Sequence, residues 1–132
     1  MNIQVPTDRK TWESEIATYW FDDNGILVSL SKSVLRTVQN ISSNAKLIIS
    51  ITNNKPVPLL IYLAKSPIPD KETRKFSTEK LPEIYSAMAM VSKPGLSQFI
   101  MKILFGLKTP PIPMKSFTND VVAKEWLKQY LK

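Results

Sequence analysis

The chain of 132 residues is 43% hydrophobic, which fits one folded domain with a buried core and argues against global disorder. It has no cysteine and no histidine, so disulfides, thiolate nucleophiles, Cys/His zinc sites and imidazole acid–base catalysis are excluded. The net charge is +7 and comes mostly from lysine; because no nucleic-acid-binding motif accompanies it, it indicates solvated lysines, an acidic partner or a lipid surface.

Residues 1–13 are polar and predict a flexible N-terminal arm, which leaves residues 14–132 as a single domain. The arm lacks the apolar core of a signal peptide. No apolar run approaches the roughly 20 residues that a membrane-spanning helix needs. We therefore expect a cytoplasmic protein.

The first half of the domain predicts a hairpin, a helix and a buried strand. Strands over Glu15–Phe21 and Ile26–Leu30 flank a turn at Asp22–Gly25, where Asn and Gly tolerate the positive φ angles of hairpin turns. A helix follows over Val34–Thr52, and the almost continuously apolar run Val57–Ala64 is typical of a strand covered on both faces. The helix has one apolar stripe at spacings of three and four residues: Val34, Val38, Ile41, Ala45 and Ile48.

The second half predicts three further helices and two strands. Asp70 is a suitable N-cap for a helix over Lys71–Thr78. A buried strand follows at Ile84–Ser92, and a helix at Gly95–Leu107 ends before a proline cluster.

A short strand at Ile112–Phe117 and a terminal helix capped by Thr118 complete the order β-β-α-β-α-β-α-β-α. Right-handed crossovers then give a mostly parallel, five-stranded mixed sheet with about four helices. The terminal helix has an inner stripe of Ala123, Trp126, Leu127, Tyr130 and Leu131.

The helix Gly95–Leu107 is apolar on more than one side. Residues at helical spacing predict a face on the sheet: Leu96, Phe99, Ile100, Ile103 and Leu107. A second set predicts a surface for a ligand or partner: Met101, Leu104 and Phe105, flanked by Lys102 and Lys108. Three interpretations remain open for this surface: packing under a neighbouring loop or the Pro110–Pro113 segment, a homodimer contact, and a lipid or membrane contact.

Five segments spread over the chain resemble the STAS domain (sulfate transporter and anti-sigma factor antagonist), in particular small stand-alone bacterial STAS-like proteins. They are ATYWFDDNGIL (17–27), KPVPLLIYL (55–63), DKETRKF (70–76), AMAMVSK (87–93) and FTNDVVAKEWLKQYL (117–131). The resemblance implies an anti-sigma-factor-antagonist-like α/β fold. Because STAS domains also resemble CRAL-TRIO lipid-transfer domains in fold, it raises an apolar ligand as an alternative.

The resemblance fails at the position of the phosphorylated serine in anti-sigma factor antagonists. Asp70 matches the preceding aspartate, but the acceptor position is occupied by Lys71, which cannot take part in that switch. Asp70, Lys71 and Glu72 nevertheless form a candidate site beyond the end of a parallel strand, where ligands of open α/β sheets bind. The alternative is a helix cap with a solvated face.

These observations predict a non-enzymatic STAS-like binding or regulatory module with an unknown protein partner. The alternative is a carrier or sensor of a small apolar ligand or lipid, acting at a membrane surface. We expect no catalytic residues, no metal, no cofactor and no nucleic acid.

Overall fold

A computed structural model describes residues 3–131. Residues 1 and 2 of the predicted arm, and residue 132 of the predicted domain, lie outside the described residues. The described residues form one sheet with four helices and a terminal 3-10 turn over Lys128–Tyr130. The strands are β1 (Trp12–Glu13), β2 (Ala17–Phe21), β3 (Leu27–Ser31), β4 (Val57–Tyr62), β5 (Tyr85–Val91) and β6 (Met114–Phe117). The helices are α1 (Val38–Thr52), α2 (Lys71–Ile84), α3 (Leu96–Phe105) and α4 (Asp120–Leu127).

The strands lie in the sheet in sequence order. β1, β2 and β3 are antiparallel neighbours, whereas β3, β4, β5 and β6 are all parallel. The predicted mostly parallel mixed sheet is therefore confirmed, although it has six strands rather than five.

The additional strand lies in the segment predicted to be a flexible arm. Trp12 pairs with Tyr19 in the antiparallel ladder, and its ring meets that of Phe21 edge-on at 6.0 Å between centroids. Arg9 also donates to the Phe21 carbonyl at 3.1 Å. Because the two residues of β1 form a very short run, no period-2 pattern marks them in the sequence.

Capping explains where two helices begin. Thr37 and Asn40 form a reciprocal capping box that starts α1 at Val38, four residues after the predicted start. Asn119 rather than Thr118 caps α4, because its side chain accepts hydrogen bonds from the first-turn N–H groups. Asparagine is the stronger N-cap of the two.

Helix α2 extends to Ile84, beyond the predicted end at Thr78, and contains Pro82. A proline removes one backbone donor and normally disrupts a helix interior, but here it lies two residues before the end of α2. Tyr85 is both the C-cap of α2 and the first residue of β5. The helix therefore runs directly into the strand without a loop.

The two faces of the sheet carry different layers. Three right-handed crossovers step across the sheet in one direction, which puts α1, α2 and α3 on the same face; α4 follows the last strand and covers the opposite face. The first layer includes Ile48, Leu59, Met88, Met90 and Phe105. The second includes Leu60, Ala87, Ala89, Ala123 and Leu127, where alanines bring α4 close to the strands.

The predicted orientation of α3 is wrong. Phe105 is only 7% exposed and belongs to the core, whereas Phe99 is 50% exposed and Leu107, just beyond the helix, is fully exposed. Met101 and Leu104 pack against the same core cluster as Phe105. A helix that is apolar on more than one side has no unique inner face in its sequence, so packing against the sheet determines which side is buried. Ser97, which is buried, brings the start of α3 close to the strands.

None of the helices within residues 3–131 combines the length and the hydropathy needed to cross a membrane.

Candidate functional site

A crevice of about 290 Å³ opens at the carboxyl ends of β5 and β6. It lies where α3 leaves β5 toward one face of the sheet and α4 leaves β6 toward the other. Ligands of open α/β sheets bind at this kind of divergence, outside the carboxyl ends of the strands. The crevice is lined by Lys93, Pro94, Ser97, Gln98, Ser116, Phe117, Thr118, Asn119 and Val122.

The β5–α3 junction forms one wall of the crevice. Gly95 is the N-cap of α3 and has a φ of 94°, a conformation that favours glycine. Gln98 reaches back over it, since its Oε1 accepts from the Gly95 N–H at 3.1 Å and from Ser97 Oγ at 3.3 Å. The N-cap itself supplies no side-chain hydrogen bond to the first turn of α3.

The β6–α4 junction forms the other wall. Asn119 Oδ1 accepts from the N–H groups of Val121 and Val122, at 2.8 and 3.2 Å. The hydroxyl residue Thr118 and the apolar Val122 are exposed beside this cap.

The electrostatics of the crevice favour an anion. The start of α3 faces it without an acidic residue in its first turn, and a helix N-terminus carries a partial positive charge. The start of α4 also faces it, but Asp120 in its first turn offsets the charge of that helix end. Lys93 is exposed at the rim, and none of the residues that line the crevice is acidic. The remaining polar groups are hydroxyls and amides, which can donate hydrogen bonds to carboxylate or phosphate oxygens.

The predicted strand-end residues lie at a different junction. Asp70 caps α2, where its Oδ1 accepts from the Thr73 N–H at 2.8 Å. The hydrogen bonds from the Thr73 hydroxyl and backbone lower the pKa of Asp70. Lys71 and Glu72 are exposed on the first turn. None of the three lines the crevice.

The residues predicted to form a surface on α3 lie in two different environments. Phe105 is buried, and Met101 and Leu104 are partly buried against the core. Lys102 and Lys108 are exposed. The prediction that all five residues form one accessible patch is therefore wrong. The three apolar side chains face the sheet, and the two lysines face away from the core.

A second cleft, the arm cleft, lies beside the β2–β3 hairpin. It measures about 340 Å³ and is bounded by the N-terminal arm, the β2–β3 turn and α4. Asp22 Oδ1 holds the turn by accepting from the N–H groups of Asn24 and Ile26, both at 2.9 Å. Its Oδ2 is buried without a hydrogen bond from any described residue, and the nearest cation, Lys124 Nζ, lies 3.9 Å away.

Tyr62 connects the arm cleft to the start of α4. Its hydroxyl donates to Asp120 Oδ2 at 2.7 Å. Burial, followed by the hydrogen bond and the charge of Asp120, raises the pKa of Tyr62 well above its usual value. The hydrogen bond and the raised pKa both indicate that the Tyr62 hydroxyl stays protonated and joins β4 to α4. This is a structural role.

Sequence reasoning missed the crevice. Its polar residues lie in two segments, around Ser97 and around Thr118, and neither segment contains a recognised motif. The signal present in the sequence is topological: a terminal helix after the last crossover leaves the sheet on the opposite face from the crossover helices. Within the described residues, no group of three or more acidic, histidine or cysteine side chains could hold a metal ion.

Comparisons with known proteins identify a family and a fold. A sequence model described as "Domain of unknown function (DUF7793)" matches residues 19–131. A crystal structure of an uncharacterized protein from the DUF3478 family, from Shewanella loihica PV-4, has a SpoIIAA-like fold and is similar to this chain. The TM-score is 0.56 at 15% identity, over 89% of this chain and 90% of that one. No curated protein matches the sequence.

At this identity the structural likeness concerns the fold alone. It confirms the expected STAS-like α/β fold, since the similar protein has a SpoIIAA-like fold and the match extends over nearly the whole of both chains.

Proposed function

The chain belongs to the DUF7793 family and has a STAS-like fold, and we propose that it is a non-enzymatic binding or regulatory module. The observation that carries this proposal is the crevice between the starts of α3 and α4. The module recognises an anionic group, a carboxylate or a phosphate, on its ligand or partner.

The chemistry of the crevice supports an anionic ligand. Lys93 supplies a full positive charge at the rim, and the first turn of α3, which its N-cap leaves without a side-chain hydrogen bond, supplies backbone donors. Lysine is a flexible point charge that suits phosphate or carboxylate oxygens.

The arrangement favours binding over catalysis. Ser97 is the most buried hydroxyl of the crevice, but its proton is directed to Gln98 Oε1, which is not a base. A serine nucleophile needs an adjacent general base, and the chain contains no histidine. The polar groups therefore orient one another rather than activate an attacking atom.

The alternative of an interior carrier for an apolar ligand has less support. Such a ligand would need space between α3 and the sheet, where Phe105, Met101 and Leu104 pack. The crevice and the arm cleft both lie at the surface and have charged residues in their linings.

The test is a titration of the ¹⁵N-labelled protein with inorganic phosphate and with acetate, followed by heteronuclear NMR. We expect the largest shifts at Ser97, Gln98 and Thr118. The variant Lys93→Gln should weaken binding at least ~fivefold because it removes the rim charge. Lys102→Gln, which changes an exposed lysine of α3 outside the crevice, is the matched control and should bind as the unmodified chain does.

Two results would contradict the proposal. One is an equal effect of both substitutions, which would indicate a diffuse response to net charge. The other is a set of shifts that maps to residues outside the crevice.

A further inference from the structure

The outer side of α3 exposes apolar side chains that the fold does not use. Phe99 is half exposed and Leu107 is fully exposed, while Ile100 and Ile103 are partly exposed. Phe99 and Ile103 are one turn apart and share a helix face. Leu107 follows the last residue of α3, Phe105, by two positions. Aqueous exposure of such side chains is unfavourable, so this surface is suited to an apolar contact.

The same region is positively charged without compensation. Between Glu83 and Asp120 the sequence has no acidic residue but four lysines, at 93, 102, 108 and 115. All four are exposed, and none takes part in an ion pair with another described residue. Lys102 lies in the last turn of α3, and Lys108 follows Leu107 directly.

We propose that the outer side of α3, with Phe99, Leu107, Lys102 and Lys108, docks on an anionic membrane surface. The apolar side chains enter the boundary between headgroups and acyl chains, and the lysines bind lipid phosphates. A helix of ten residues is ~15 Å long, so it lies in the plane of the interface. This contact is separate from anion binding in the crevice and does not depend on it.

Charge complementarity distinguishes a membrane from a second copy of the chain. A symmetric dimer through α3 would place Lys102 and Lys108 of each copy against an equally basic surface, because like patches meet in a two-fold interface. An anionic bilayer presents the opposite charge and an apolar layer beneath it. The proposal therefore commits to the bilayer.

The experiment is co-sedimentation of the full chain with vesicles of phosphatidylcholine containing 30% phosphatidylglycerol, and with vesicles of phosphatidylcholine alone. We expect binding to the first and little to the second, and a decrease when salt is raised from about 25 to 300 mM. The double variant Lys102→Gln/Lys108→Gln should bind roughly 25-fold more weakly, at about fivefold per lysine. The double variant Phe99→Ser/Leu107→Ser should bind at least ~tenfold more weakly.

Two controls match these changes. Leu35→Ser replaces a leucine that is as exposed as Phe99 but lies before α1, and Lys55→Gln replaces an exposed lysine outside α3. Both should bind as the unmodified chain does. As a second measurement, the fluorescence that Leu107→Trp adds to that of the three native tryptophans, taken as the difference from the unmodified chain, should shift to the blue on the anionic vesicles. This difference reports entry of the new side chain even if Phe99→Ser impairs folding.

Three outcomes would overturn the proposal. The first is equal binding to both vesicle types, and the second is a loss of binding in the control variants as large as in the α3 variants. The third is self-association that Phe99→Ser/Leu107→Ser abolishes, measured by light scattering, without binding to vesicles. If vesicle binding fails while Lys93→Gln still weakens phosphate binding, the crevice proposal stands alone.

Discussion

The orientation of α3 makes a quantitative prediction about two phenylalanines on one helix. Phe105 is 7% exposed and lies in the core cluster, whereas Phe99 is 50% exposed. Truncating each to alanine keeps the helix propensity of the two variants similar. The difference between their free energies of unfolding therefore measures which side of α3 faces the sheet.

The expected costs follow from burial. Replacing a buried phenylalanine by alanine destabilises a protein by about 3–5 kcal/mol, through lost transfer free energy and the remaining cavity. Because Phe105 retains some exposure, we expect about 3 kcal/mol for Phe105→Ala. Surface substitutions usually change stability by about 0.5 kcal/mol, so Phe99→Ala should cost less than about 1 kcal/mol. A domain of this size should then differ by roughly 6–10 °C in Tm between the two variants.

The assay is equilibrium unfolding in urea, with the m-value checked to be equal among the variants. Phe105→Leu is a gentler companion that should cost about 1 kcal/mol, in case Phe105→Ala leaves too little folded protein. Equal losses in Phe99→Ala and Phe105→Ala would refute the orientation. A larger loss of stability in Phe99→Ala than in Phe105→Ala would support the inner face predicted from the spacing of apolar residues.

Two further predictions concern pH. Because the pKa of Tyr62 is raised in the folded chain, the stability it contributes is complete below the unfolded pKa of about 10 and is lost as pH rises beyond it. Tyr62→Phe should cost about 1–2 kcal/mol at pH 7 and flatten the decline of stability above pH ~10; superimposable alkaline profiles would contradict this. Because the pKa of Asp70 is lowered, its contribution is present above the unfolded pKa of about 4 and is lost as pH falls. Asp70→Asn should therefore flatten the acid limb of urea stability measured from pH 5 to pH 2, and an unchanged limb would disprove the role of the charge.

The sequence predicted the structure well in segments whose residue pattern is typical of a single kind of element. The turn at Asp22–Gly25, the stripe ending in Ala45 and Ile48, and the run from Val57 each have a single interpretation, and the structure contains the corresponding elements. The terminal helix also buries the expected Ala123 and Leu127. Local patterns determine local structure in these segments because each pattern is typical of one element only: turn residues at the hairpin, a one-sided stripe in α1 and a continuous apolar run in β4.

The failures share a physical cause. In α3 most residues are apolar, so hydrophobicity alone cannot set the rotation of the helix. In α2 the helix continues beyond the predicted end at Thr78, through Pro82 to Ile84, because the cost of a proline is small near the end of a helix that packs on the sheet. Trp12 gains its place from pairing with Tyr19, a partner that no local pattern reveals. In each case tertiary contacts outweigh local preference.

Capping distinguishes the β4–α2 junction from the β5–α3 junction, which we propose as part of an anion site. The sequence resemblance to anti-sigma factor antagonists predicts that Lys71, the first residue of α2, occupies the position of their phosphorylated serine. At the β4–α2 junction Asp70 already accepts from the first turn of α2, and its negative charge repels an incoming anion. At the next junction, β5–α3, the N-cap is glycine and contributes neither a side-chain acceptor nor a charge, and Lys93 stands beside it. The same helix-dipole chemistry thus disfavours an anion at α2 and favours one at α3, one strand further along the sheet.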